Sequence, residues 1–111
     1  MAALTLRLES ALASAGLDHG DLARVVGATT RTVSRWLRRE VSPRPDARER
    51  LLEFLAVVER LSGTLRPEPA HDWLFTPNAA LGHHKPAELL REGRYREVLA
   101  AIDALGEGVF V

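Results

Sequence analysis

The sequence contains no cysteine, which excludes disulfide bonds and thiolate metal sites. Aromatic residues are few, with two Trp, one Tyr and three Phe, so whichever of them lie inside must carry a large share of the core. No run approaches the roughly 18 consecutive apolar residues that span a bilayer. The opening MAALTLRLESALASAG also lacks the basic start and unbroken apolar stretch of a secretory leader. A cytoplasmic protein is expected. No alternating strand pattern, internal repeat or low-complexity tract is present, which leaves an all-α fold. With 46% apolar and 27% charged residues in 111 positions, the chain has the composition of one compact globular unit.

Net charge is absent as well, since the formal sum is zero, but the charge is segregated along the chain. Residues 1–23 sum to −2, residues 24–50 to +5 and residues 51–111 to −3. A polyanion would therefore meet only the middle segment favourably.

Leu4, Leu8, Leu12 and Ala15 recur at helical spacing before Gly16 and predict a first helix over 4–15. Asp18 is a candidate N-cap for a short second helix that Gly27 ends. Thr29 caps a third, TRTVSRWLRRE, with Val33, Trp36 and Leu37 on its apolar face and Arg31, Arg35, Arg38 and Arg39 on the other. The two prolines of VSPRP make residues 41–45 a linker. A long fourth helix is expected from an Asp46 cap to about Ser62, with Leu51, Phe54, Leu55, Val58 and Leu61 inward. Beyond Gly63 and RPEP, a short helix AHDWLF is expected, with Trp73 and Phe75 in the core, then a loop with Pro77, Asn78 and Gly82. Pro86 opens AELLRE, and Gly93 ends it. In RYREVLAAIDAL, Tyr95, Val98, Leu99, Ile102 and Leu105 give the cleanest helical periodicity. The units expected are 1–45, 46–66 as a connecting helix, and 67–111.

Residues 19–39 satisfy the demands of a helix-turn-helix: a small residue at the crossing (Ala23), a turn glycine (Gly27) and inward apolar positions at Leu22, Val26, Val33 and Trp36. The segment resembles the helix-turn-helix of phage-repressor-like regulators. By that resemblance Thr29, Thr30, Arg31, Ser34 and Arg35 face base edges or nearby phosphates, with Arg38 and Arg39 near the backbone. Arginine suits both roles, because its fork matches guanine and its charge pairs with phosphate. One copy makes few phosphate contacts, so useful affinity for operator DNA calls for an oligomer, homomeric or with a partner.

Four histidines raise the question of a metal, yet His83 and His84 are adjacent and no third ligand falls at a zinc-site spacing. Glu49 with Glu53, and Glu88 with Glu92, stand beside arginines on solvated helix faces, which is unlike an acid–base pair. No nucleophile elbow or phosphate-cradling glycine loop occurs. Neither an enzyme nor a cofactor or metal site is expected.

At the C-terminal end, Gly106 and Gly108 release Val109, Phe110 and Val111 as an apolar segment suited to a partner, the competing arrangement being Phe110 folded back on the core. Residues 73–111 combine Trp73-Leu74, Pro77-Asn78, Leu81-Gly82, Lys85-Pro86, Leu89-Leu90, Gly93, a last helix and the tail GEGVFV. In that order and spacing they resemble the toxin-binding domain of Xre/MbcA/ParS-like antitoxins, the tail favouring the MbcA-like branch. The resemblance implies a type II antitoxin that inhibits a RES-domain, NAD-consuming toxin by direct contact, that joins it on its own promoter, and that uses Lys85 and Arg94 beside the tail. His83-His84 depart from the family, in which a second glycine is common. Two further readings stand beside this one: a free-standing DNA-binding regulator whose C-terminal helices dimerise it, and an inhibitor whose helix-turn-helix no longer binds DNA.

Overall fold

The computed structural model describes residues 2–106, with side chains from residue 3 onward. Seven α-helices occur among them: α1 Ala2–Ser14, α2 His19–Val26, α3 Thr30–Leu37, α4 Pro45–Ser62, α5 Pro67–Leu74, α6 Pro86–Arg91 and α7 Tyr95–Gly106. A 3-10 turn at Ala79–Leu81 and an isolated bridge between Asn78 and His84 complete the inventory. No strand is present among the described residues, in agreement with the all-α expectation.

Several ends form as the sequence dictates. The Asp18 carboxylate accepts from the Asp21 amide at 2.7 Å while the Asp21 carboxylate accepts from the Asp18 amide at 3.0 Å, a reciprocal cap. Hydrogen bonds to the Asp18 carboxyl, that from the Asp21 amide first, hold it below its ordinary pKa. Thr29 accepts from the Thr32 amide at 3.1 Å, and Gly27 closes α2 in the left-handed region at φ 76°.

Other ends differ, for identifiable reasons. The third helix stops at Leu37 rather than running to Glu40, because Arg39 turns left-handed at φ 62° and the Glu40 amide reaches back to the Arg35 carbonyl at 2.9 Å. The fourth starts at Pro45 with Arg44 as cap residue, so Asp46 is its second residue and not its cap. The fifth begins at Pro67, ahead of the expected Ala70. Prolines are tolerated in a first turn, where the missing N–H would have had no partner. Gly106, the last described residue, is still helical in α7.

The centre of the molecule is α4, whose Leu51, Phe54, Leu55, Val57, Val58 and Leu61 are fully buried. One flank takes α1 through Leu4, Leu8, Ala11 and Leu12, and another takes α7 through Val98 and Ile102. In addition, α2 packs directly on α6, so a single core cluster runs from Leu4 to Ile102. Trp73 and Phe75, expected inside, are only half-buried at its edge. Surface pairs Arg7–Glu59 and Arg60–Asp103 tie α1 and α7 to α4 but add little stability each.

Gly93 marks a close approach. It sits at φ 84°, and a Cβ there would lie 2.9 Å from an Arg50 guanidinium nitrogen. Gly93→Ala should therefore lower stability by about 1–2 kcal/mol through left-handed strain, with Arg50 pushed out of its present position. Chemical denaturation of the two proteins side by side checks this, and an unchanged midpoint would contradict it.

Candidate functional site

The basic segment emerges on one surface. Val33, Trp36 and Leu37 turn α3 inward, which leaves Arg31, Arg35, Arg38 and Arg39 exposed. Arg31 makes no ion pair with any described residue. Arg35 and Arg38 both lie near the Glu40 carboxylate, at 3.6 and 3.7 Å, so this acid partly offsets two of the four charges. Thr30 is exposed at the start of α3. Thr29 is already occupied as the cap, its hydroxyl donating to the Thr32 hydroxyl at 3.0 Å. Ser34 is half-buried, its hydroxyl 2.9 Å from His19 Nδ1, and so faces α2 at least as much as solvent. Glu40 and His19 are the partners that sequence reasoning missed, since neither is adjacent on the same helix face. Arg44 and Arg48, exposed at the start of α4, extend the basic surface and lie within the same +5 stretch.

The C-terminal half presents a different surface. Arg94 is held bidentately by Glu97, at 2.7 and 2.9 Å, with a third bond to Glu92 at 3.3 Å. These bonds, Glu97 first, raise the guanidinium's pKa, and the Arg94 bonds lower that of Glu97. Lys85 is exposed and caps α6 through its backbone, its amide donating to the Glu88 carboxylate at 2.8 Å. Its side chain borders a cavity of about 190 Å³ shared with Arg24, Phe75 and Arg91. Lys85 and Arg94 are not joined to each other by any hydrogen bond or ion pair among the described residues. Of the tail positions, Gly106 is the last described residue and lies within α7, whereas Gly108, Val109, Phe110 and Val111 lie outside the described residues.

Between the two surfaces runs a junction that sequence reasoning did not anticipate. Arg24 of α2 lies over the Phe75 ring at 4.4 Å and pairs with Asp21 at 3.0 Å. His71 of α5 lies 3.5 Å from Asp21 and 5.1 Å from Phe75 between ring centroids. Residues 21–24 and 71–75 are far apart in sequence, so no local pattern could have paired them.

The family-specific loop resolves into two successive left-handed residues, Gly82 at φ 64° and His83 at φ 65°. The His83 amide donates to the Asn78 carbonyl at 2.9 Å and the Asn78 amide to the His84 carbonyl at 3.0 Å. Those bonds hold the loop in the glycine-type conformation even with a histidine in it. His83→Gly should accordingly raise stability by about 0.5–1 kcal/mol, the relieved left-handed strain exceeding the added chain entropy. A thermal melt is the check, and a lower melting temperature would contradict the strain argument.

Among the described residues no group of three His, Asp or Glu is placed to hold a metal ion, and no helix is long and apolar enough to cross a membrane. What the molecule offers is an all-helical body in which α3, packed on α2, exposes an arginine face, with a separate C-terminal helical surface. The chain belongs to the Xre/MbcA/ParS antitoxin family: residues 56–108 match the model for the antitoxin Xre/MbcA/ParS C-terminal toxin-binding domain, and curated antitoxins align over nearly its whole length. The mycobacterial cidal antitoxin MbcA of Mycobacterium tuberculosis is 40% identical over 108 residues, covering 97% of this chain and 96% of that protein. A probable mycobacterial cidal antitoxin of the same species is 31% identical over 101 residues, covering 91% and 86%. In solved structures, the fold matches a chain of the M. tuberculosis MbcT–MbcA toxin–antitoxin complex with a TM-score of 0.88 at 40% identity, covering 97% of each chain.

Proposed function

We propose that this chain is the antitoxin of a type II pair, that it silences a RES-domain, NAD-consuming toxin by direct contact, and that it represses its own operon through the helix-turn-helix. The observation that carries the reading is family membership over nearly the full chain, with a solved relative that comes from a toxin–antitoxin complex. Residues 67–111, and within them Lys85, Arg94, Gly106, Gly108, Val109, Phe110 and Val111, are assigned to the toxin. Residues 1–45 supply Thr29, Thr30, Arg31, Ser34, Arg35, Arg38 and Arg39 to DNA, and 46–66 connect the two. A binding role without catalysis, in the cytoplasm, completes the assignment.

Support for the DNA half comes from the exposed arginine face, which fits a duplex electrostatically. A complex with toxin that sets two copies side by side would supply the second half-site. The test is a titration of purified RES-domain toxin with this chain while NAD loss is followed. Inhibition complete near stoichiometry is expected, together with salt-dependent retention of promoter DNA. Undiminished NAD loss in excess antitoxin would overturn the toxin assignment, and DNA binding alone would then favour the free-standing regulator.

A further inference from the structure

Three exposed cations from two parts of the chain converge on one small cavity: Arg24 of α2, Lys85 just before α6 and Arg91 at the end of α6, with Phe75 and Glu88 completing the lining. Gly20 and Arg24 stand one turn apart on the same side of α2, and Gly27 follows at its end. A Cβ on Gly20 would lie 3.7 Å from Thr30 Oγ1, and one on Gly27 would lie 3.5 Å from Arg91 Nε. This side of α2 therefore leads from the first residue of α3 to the last residue of α6. Arg24 is fixed from two directions, over the Phe75 ring at 4.4 Å and on the Asp21 carboxylate at 3.0 Å. Glu88 accepts from the Lys85 amide at 2.8 Å. Neither Arg91 nor Lys85 forms an ion pair among the described residues. Three cations against the two carboxylates, Asp21 and Glu88, leave one positive charge in surplus, the match of a single phosphodiester.

We propose that this pocket holds a backbone phosphate of duplex DNA, so that α6, in the C-terminal half, takes part in the DNA interface through Arg91; the inference rests on the DNA reading above and adds to it a contact from outside the helix-turn-helix. Position selects this occupant. Gly27 is the turn that leads into α3, and Arg31, assigned to the bases, is the second residue of that helix. A helix with its side chains is about 10–12 Å across and the major groove is about 12 Å wide. A helix seated in the groove thus has phosphates along its flanks, and a cation held beside its entry turn stands next to that wall. The clamp of Asp21 and Phe75 on Arg24 orders its guanidinium before DNA arrives, which lowers the entropic cost of the contact. Lys85, assigned above to the toxin, adds its charge from the rim. A phosphate contact positions the protein and carries no sequence information itself, so base reading stays with α3.

The test titrates the full chain, alone and with its toxin, into its own promoter duplex and into a duplex of random sequence over a range of salt. Arg91→Gln should leave helical content unchanged, because the side chain is exposed. It should weaken binding to both duplexes by the same factor, roughly threefold to tenfold near 0.1 M salt, and lower the slope of log affinity against log salt by about 0.9, the signature of one lost phosphate contact. Arg91→Lys, which keeps the charge, should restore most of both. Arg31→Ala serves as the control for the DNA reading and should reduce discrimination between the duplexes. If Arg91→Gln binds as the unaltered chain does while Arg31→Ala is weakened, the phosphate site is overturned and the helix-turn-helix reading stands. Loss confined to the promoter duplex with an unchanged slope also overturns it, because Arg91 then reads a base. No binding of either duplex by the unaltered chain, with or without toxin, overturns both.

Discussion

Changing Arg31 and Arg35 together to Ala should weaken operator binding by about 2–6 kcal/mol, at roughly 1–3 kcal/mol for each arginine–base interaction removed. The two contributions should be unequal. Arg31 is unpaired among the described residues, whereas Arg35 lies 3.6 Å from Glu40 and gives up that neighbour when it turns to DNA. The single Arg31→Ala variant should therefore account for the larger share. Folding should survive, because both side chains are exposed and lie opposite the buried Val33 and Trp36. Affinity at several salt concentrations separates the roles. Removing a phosphate partner flattens the salt dependence by about one counterion, and removing a base partner reduces discrimination between operator and random sequence. Unchanged affinity with intact helical content would remove this face from the interface.

Deleting Val109, Phe110 and Val111 should leave DNA binding nearly intact while weakening toxin neutralisation, so that the two activities separate. Phe110 dominates the expected effect, since burying one such aromatic contributes about 1.5–3 kcal/mol, roughly a ten- to hundredfold change in affinity. Loss of steric blockage would add to it. A tail committed to the antitoxin's own core predicts something else: a lower melting temperature, with neutralisation falling only in proportion to the unfolded fraction. A truncated chain that melts normally and still silences the toxin fully at equal stoichiometry would sink the tail assignment.

Much of the local structure is legible in the residues because its causes are local. The Asp18 and Thr29 caps, the left-handed Gly27 and the inward stripe of α4 each follow from chemistry within one or two turns. Errors fall where a boundary depends on something subtler. Arg39 adopts a conformation that favours glycine, held by the Glu40-to-Arg35 bond, and so shortens α3 against its helical composition. Pro67 and Pro69 read as breakers but serve as first-turn residues of α5. Within the candidate site, the identity of the exposed arginines follows from period and charge. That Glu40 shadows two of them, or that His19 engages Ser34, depends on tertiary placement.

The packing of α2 on α6, reinforced by Arg24 on Phe75 and His71 beside Asp21, has a consequence for how this chain can be cut and recombined. A fragment ending in the segment before Pro45 would carry Leu22 and Val25 out into water without the helices that cover them. A graft of the C-terminal half onto a foreign DNA-reading domain would strand Leu89 and Leu90 likewise. On the proposed DNA assignment, swapping specificity in this scaffold is a matter of repainting exposed side chains on α3, with the buried seam left as it stands. A single melting transition is expected to report on both binding surfaces at once.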